Sequence, residues 1–180
     1  VSGAGAANNS SNDGEAIAVE PPGGAFNFGK ILQATANTIT VSPVTPLNAN
    51  QAIEYGYLSV MIMNGRGLGQ LRKVISIDPA TRVITVDKPF DIIPDSAGVF
   101  TLATPLENFT VYKNKVSNSR KGIWPFGLQH DCVVADNVSE NTQGIFLFSG
   151  RNDEQRTYYG NNFTRITRNK ITGVSPADNY

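Results

Sequence analysis

The carboxy-terminal third of the chain repeats itself at short range, and this periodicity limits the possible folds more than any other feature. Asn114-Lys115-Val116 recurs as Asp136-Asn137-Val138 and again as Asn169-Lys170-Ile171. Gly122-Ile123 recurs as Gly144-Ile145 and as Gly173-Val174. The first two repeats lie 22 residues apart in both landmarks, and polar sequence between Gly150 and Asn162 delays the third. A period of about 20 to 30 residues, made of short β runs joined by Asn and Gly turns, is the mark of a solenoid. A single coil cannot cover its own apolar side. Coils must therefore stack, and the repeat predicts Val116, Val138 and Ile171 piled over one another. In-register Asn side chains can form ladders at the corners, where Asn also tolerates left-handed backbone angles.

Amphipathic helical periodicity is almost absent from the rest of the sequence, whereas β-branched and aromatic runs between turn residues dominate. The expected strands are 16–19, 38–41, 57–63, 70–77, 82–86 and 98–102. Asp78-Pro79-Ala80-Thr81 predicts a tight turn, because Pro presets the second position, and makes 70–77 and 82–86 an antiparallel hairpin. Alternation along these runs calls for one buried and one wet face, which suits a small antiparallel barrel or sandwich. Gly65-Arg66-Gly67-Leu68-Gly69-Gln70 is no nucleotide loop, since it lacks the last glycine of that pattern and a following helix. It reads as a glycine-rich strand connection.

The Asn–apolar–Gly–apolar coils resemble those of right-handed parallel β-helix proteins, the broad group that holds pectate-lyase-like enzymes and phage tailspikes. The segment Gly65 to Arg72, followed by Thr85-Val86-Asp87-Lys88-Pro89-Phe90 and Pro94-Asp95, also looks like a β module of bacterial and phage β-helix proteins. The resemblance implies an all-β chain in which a short right-handed parallel β-helix is interrupted by a small antiparallel barrel or sandwich. Its divisions are 1–24 as a candidate earlier coil, 25–104 as the inserted module and 105–180 as the main coils. In a solenoid, insertions emerge from one side and shape a binding face.

Composition removes several classes of function. Fifteen basic and fifteen acidic residues balance, which gives no pull toward nucleic acid or anionic membranes. No apolar run is long enough to span a membrane as a helix. The single Cys132 excludes an internal disulfide and a multi-cysteine metal site, and no acidic pattern matches a calcium loop, so neither metal nor cofactor is expected. Val1 to Ala7 lacks the basic segment of a secretory signal, and Ser175 to Tyr180 stops in a turn-like stretch. Both ends read as cut from a longer chain.

The candidate site residues are charges and aromatics near corresponding coil positions. Arg120 and Lys121 precede Gly122, Glu140 precedes Gly144, and Arg151, Asp153, Glu154 and Arg156 occupy the excursion before the third coil. His130 is the only histidine and a candidate base. Cys132 opens an apolar run and should point inward as a small hydrophobe. The resemblance implies a polysaccharide lyase or glycoside hydrolase, with His130, Lys121, Asp153 and Glu154 in the chemistry and Arg120, Trp124, Arg151 and Tyr158 holding the sugar. Flat rings such as Trp124 and Tyr158 can cover the apolar face of a pyranose. The expected partner is a polysaccharide or oligosaccharide, beside the rest of a longer chain or further copies of this one, and the expected setting is secreted or cell-surface. The competing expectation is a non-catalytic fibre, stalk or phage-tail segment, or a carbohydrate-binding module.

Overall fold

The computed structural model describes residues 14–21, 25–47 and 57–173, and these are all-β, with no helix among them. The amino-terminal stretch before Gly14, Val174 and the Ser175 to Tyr180 tail lie outside the described residues. The chain divides into two compact units. One contains the described residues up to Glu20, Leu106–Phe148 and the residues from Asn161 onward; the other contains Pro21–Pro105 and Ser149–Gly160. The 149–160 excursion, drawn with the coils on sequence grounds, thus groups with the inserted module.

In the first unit, strand β1 (Glu15–Val19) opens the described chain. The second unit follows with β2 (Ala25–Ala34), β3 (Thr38–Val41), β4 (Ser59–Asn64), β5 (Leu71–Asp78), β6 (Val83–Val86) and β7 (Val99–Ala103). These six close into a barrel in the order β2-β3-β6-β5-β4-β7, with every pair antiparallel. Of the two antiparallel architectures expected, the barrel is the one formed. Alternation turns Ile39, Val41, Ile84 and Val86 inward, where they join Ile31, Ile62, Phe100 and Leu102 in one apolar core.

The predicted hairpin is β5 and β6. Asp78 Oδ1 caps the turn by accepting from the Ala80 and Thr81 amides at 2.9 and 3.3 Å. The Gly65-to-Gln70 stretch joins β4 to β5, with Gly65, Gly67 and Gly69 all at positive φ. Gln70 Nε2 locks it by donating to the Ile92 carbonyl at 2.7 Å.

The other unit winds. Its strands are β8 (Leu106–Glu107), β9 (Thr110–Tyr112), β10 (Lys115–Ser117), β11 (Lys121–Pro125), β12 (Gln129–His130), β13 (Val133–Ala135) and β14 (Val138–Glu140). The hairpin β15 (Gly150–Asn152) and β16 (Thr157–Tyr159) belongs to the barrel's unit; β17 (Asn161–Asn162), β18 (Arg165–Thr167) and β19 (Lys170–Thr172) then resume the winding. Three parallel sheets result, β8-β12-β17, β9-β13-β18 and β10-β14-β19, while β1 pairs in parallel with β11. Val111, Val116, Ile123 and Val134 form the core, with Ala16, Ile17 and Val19 packed against it.

The expected pile of Val116, Val138 and Ile171 is corrected by one residue. Val116 lies over Ser139, and Ser139 over Ile171, while Val138 sits between Lys115 and Lys170. A one-residue slip moves a strand's side chains to the opposite face. Ser139 is accordingly buried, bonded to Thr142 Oγ1 at 2.5 Å, and Val138 is only half-buried. The asparagines set this register: Asn114, Asn137 and Asn169 form the ladder, spaced 23 and 32 residues apart. The glycine landmark keeps its spacing of 22, with Ile123 bridged to Ile145, so the turn before Gly144 is one residue shorter. Gly173 is no counterpart of Gly144. It continues a column of left-handed corners with Asn118 and Asn141.

Two more such columns run beside it, Asn108 with Asp131 and Phe163, and Lys113 with Asp136 and Arg168. In the last of these, Arg168 donates to both Asp136 oxygens at 2.7 Å. That pairing holds the Asp136 carboxyl below the ordinary aspartate value of 3.8. A carboxyl more acidic in the folded than in the unfolded chain adds stability above its unfolded value, and the gain disappears as pH falls through the folded one. We expect the melting temperature of the native chain to fall more steeply below about pH 4 than that of Asp136→Asn. Parallel acid limbs in thermal melts of the two chains would contradict this.

Candidate functional site

The eight residues singled out from sequence divide between the two units. Arg120, Lys121, Trp124 and His130 lie in the winding; Arg151, Asp153, Glu154 and Tyr158 lie on or beside the β15–β16 hairpin. In the winding, Lys121 is 2% exposed. Its Nζ stands 3.5 Å from Glu15 Oε1 and 3.3 Å from the centroid of the Trp124 ring. An ammonium so enclosed is satisfied by its carboxylate and the ring face, and it fastens β1 to β11 instead of facing a solvent-borne substrate. Trp124 is half-buried, its ring edge-to-face with Phe126 at 5.5 Å. His130 is half-buried and packs edge-to-face on Phe163 at 5.4 Å. Arg120 is half-buried immediately before β11. Cys132 points inward, as its apolar run predicted, with its thiol donating to the His130 and Leu106 carbonyls at 3.3 and 3.4 Å. Burial pushes the Cys132 thiol up, away from the thiolate that a nucleophile requires.

The barrel's unit brings charges together around a recess of about 260 Å³. β2 supplies Phe28, Gly29 and Lys30, the segment after β3 supplies Ser42, Val44 and Thr45, and the hairpin supplies Arg151, Asp153 and Arg156. Pairing of β15 with β16 sets Arg151 opposite Tyr158. The Tyr158 ring meets Phe28 edge-on at 5.8 Å, and the Arg151 guanidinium lies 4.6 Å from the Phe28 centroid. Asp153 Oδ1 accepts from Arg151 Nε at 2.6 Å, which strengthens that guanidinium's hold on its proton. Arg156 takes a left-handed conformation in the hairpin turn and donates to Asn27 Oδ1 and the Val44 carbonyl, both at 3.1 Å. Tyr159 completes the docking of the hairpin by accepting the Ala25 amide at 3.1 Å. Glu154 is exposed in the turn.

Gly29 is required by a close approach. A Cβ there would meet Thr45 Oγ1 at 2.0 Å. That hydroxyl is buried and has no hydrogen-bond partner among the described residues. Behind it, Arg82 donates to the Ser42 and Thr45 carbonyls.

Charged and hydroxyl side chains converge in the recess. Among the described residues no group of three or more His, Cys, Asp or Glu side chains could hold a metal. Sequence reasoning named Arg151, Asp153, Arg156 and Tyr158 but not Phe28, Lys30 or Thr45. Only the density of charge in 151–156 signalled this region; the partners from β2 and the segment after β3 are remote in sequence.

No family model matches the chain, and no curated protein matches it. Among solved structures it is similar to the tailspike protein gp49 from Pseudomonas phage LKA1, at 11% sequence identity and a TM-score of 0.37. The match takes in 96% of this chain and 37% of that one, so this chain spans little more than a third of the tailspike's length.

Proposed function

We propose that the chain is a carbohydrate-contacting segment of a right-handed parallel β-helix protein, secreted or displayed on a surface, and that it binds sugar without transforming it. The three parallel sheets, in register winding after winding, support the β-helix reading. The observation that carries the functional reading is the recess beside Phe28, where charged and hydroxyl side chains from three chain segments converge next to the exposed apolar Val44. Concave sites with a few converging polar groups are where small ligands settle. At about 260 Å³ the space is smaller than the roughly 300–1,000 Å³ that encloses a drug-sized ligand. It therefore takes one ring of a longer chain. Lys121, enclosed by Glu15 and the Trp124 ring, is turned away from solvent, which favours binding over proton transfer by that residue.

The 180-residue chain tested by calorimetry against a panel of neutral and acidic polysaccharides should bind at least one of them, with no release of reducing or unsaturated ends. Val44→Trp, which fills the recess from an exposed position, should weaken that binding about tenfold or more. Binding unchanged in Val44→Trp, or product release by the native chain, would overturn the proposal. The second reading, a structural fibre or tail segment, is favoured by the Asn114–Asn137–Asn169 ladder, which strengthens the winding without making a ligand site.

A further inference from the structure

We infer that the recess on the barrel selects an anionic sugar, one bearing a carboxylate or sulfate, through a guanidinium already fixed in place. The inference rests on the carbohydrate reading and narrows it. Four charged side chains line the recess: Lys30, Arg151 and Arg156 against the single Asp153. Three cations and one anion leave an excess of two positive charges, although the whole chain is neutral. The guanidinium of Arg82 lies just behind, bonded to the carbonyls of two lining residues, Ser42 and Thr45. Such a focus of charge attracts an anion whatever the net charge of the protein.

The geometry also decides how a sugar is held. Stacking on Phe28 is closed, because that ring is 9% exposed and carries the Arg151 guanidinium on its face. Arg151 is exposed, yet it is held by Phe28 below and Asp153 beside it, so little side-chain freedom is lost when a ligand binds. A guanidinium presents paired donors that match a carboxylate or sulfate edge. Asp153 occupies Nε, which leaves the terminal nitrogens for the ligand.

The test uses the 180-residue chain and three polymers, polygalacturonate, dextran sulfate and neutral dextran, with a DNA duplex as a fourth probe. Binding to polygalacturonate or dextran sulfate, weakening as salt rises, is the expected result. Preference between those two identifies the anionic group. Arg151→Ala should weaken binding about tenfold or more, Arg151→Lys should recover part of it, and melting temperatures should stay near that of the native chain, because Arg151 is exposed. Equal, salt-insensitive binding of dextran would overturn the anionic selectivity and leave the carbohydrate reading standing. Binding of none of the polymers would overturn both. DNA bound as tightly as the acidic polymers, with the same loss in Arg151→Ala, would overturn sugar selectivity in favour of a general polyanion patch.

Discussion

Gly122→Ala is expected to collapse the winding. The added Cβ would lie 2.3 Å from the Gly144 carbonyl oxygen, 2.7 Å from Ser139 Oγ and 2.9 Å from Thr142 Oγ1. None of these is the far end of a flexible side chain. The Gly144 oxygen accepts the Ile123 amide at 3.0 Å, and the two hydroxyls bond each other within the core. To make room, the chain must part β11 from the turn that stacks on it. Overpacking costs about 1–3 kcal/mol. Losing the Ile123-to-Gly144 bond in a buried place adds about 1–3 kcal/mol. Together these come to about 2–6 kcal/mol, a large share of a typical domain stability of about 5–15 kcal/mol. Chemical denaturation should show a loss of several kcal/mol for Gly122→Ala, while Gly150→Ala, where a Cβ meets nothing, should be close to neutral. Similar denaturation midpoints for the two variants would show that the close approach at Gly122 does not constrain the fold.

Asn137→Ala is the second large effect expected. Asn137 is 1% exposed and sits at the centre of the ladder. Its Oδ1 accepts from the Asn114 amide at 2.9 Å and from Asn114 Nδ2 at 3.1 Å. Its Nδ2 donates to the Val111 carbonyl and to Asn169 Oδ1, both at 2.9 Å. Truncation therefore strands a backbone donor and a backbone acceptor in the interior, each costing about 1–3 kcal/mol. Asn137→Asp keeps the shape but sets an acceptor against the Val111 and Asn169 oxygens, so it should also destabilise, and more as pH rises and the carboxyl ionises. Asn114→Ala, at the half-buried end of the ladder, should cost less. Urea unfolding of the three variants gives the ranking, and an Asn114→Ala loss as large as that of Asn137→Ala would refute the central role of Asn137.

The sequence announced what short-range chemistry dictates. The hairpin of β5 and β6 was readable because Asp78-Pro79-Ala80-Thr81 presets its turn and alternation fixes its faces. The inward Cys132 was readable from its apolar run. β2 was not, because Gly29 and the bulge between Ile31 and Gln33 break the alternation that marks a strand. The register of Val138 was misread because hydrophobicity suggested Val over Val, whereas the amide ladder placed Ser139 inside. The recess was partly legible: charge density marked Arg151 and Asp153, but nothing local tied them to Phe28, Lys30 or Thr45. Lys121 was read as a candidate catalytic charge, and its burial was not legible because its partner, Glu15, comes from a strand more than a hundred residues earlier.

The left-handed corners ask for a conformation and place little demand on residue chemistry: Asn, Asp, Lys, Arg, Phe and Gly all occupy them. One position in the circuit is freer still. After β11 a brief link leads directly to β12; after Ile145, its counterpart one level on, the chain detours through a hairpin; after β1, its counterpart one level back, it detours through an entire barrel. The neighbouring parallel sheets hold their alignment in every case. That junction carries connections of three very different lengths, so a loop lengthened there is expected to leave the registers of the neighbouring parallel sheets unchanged.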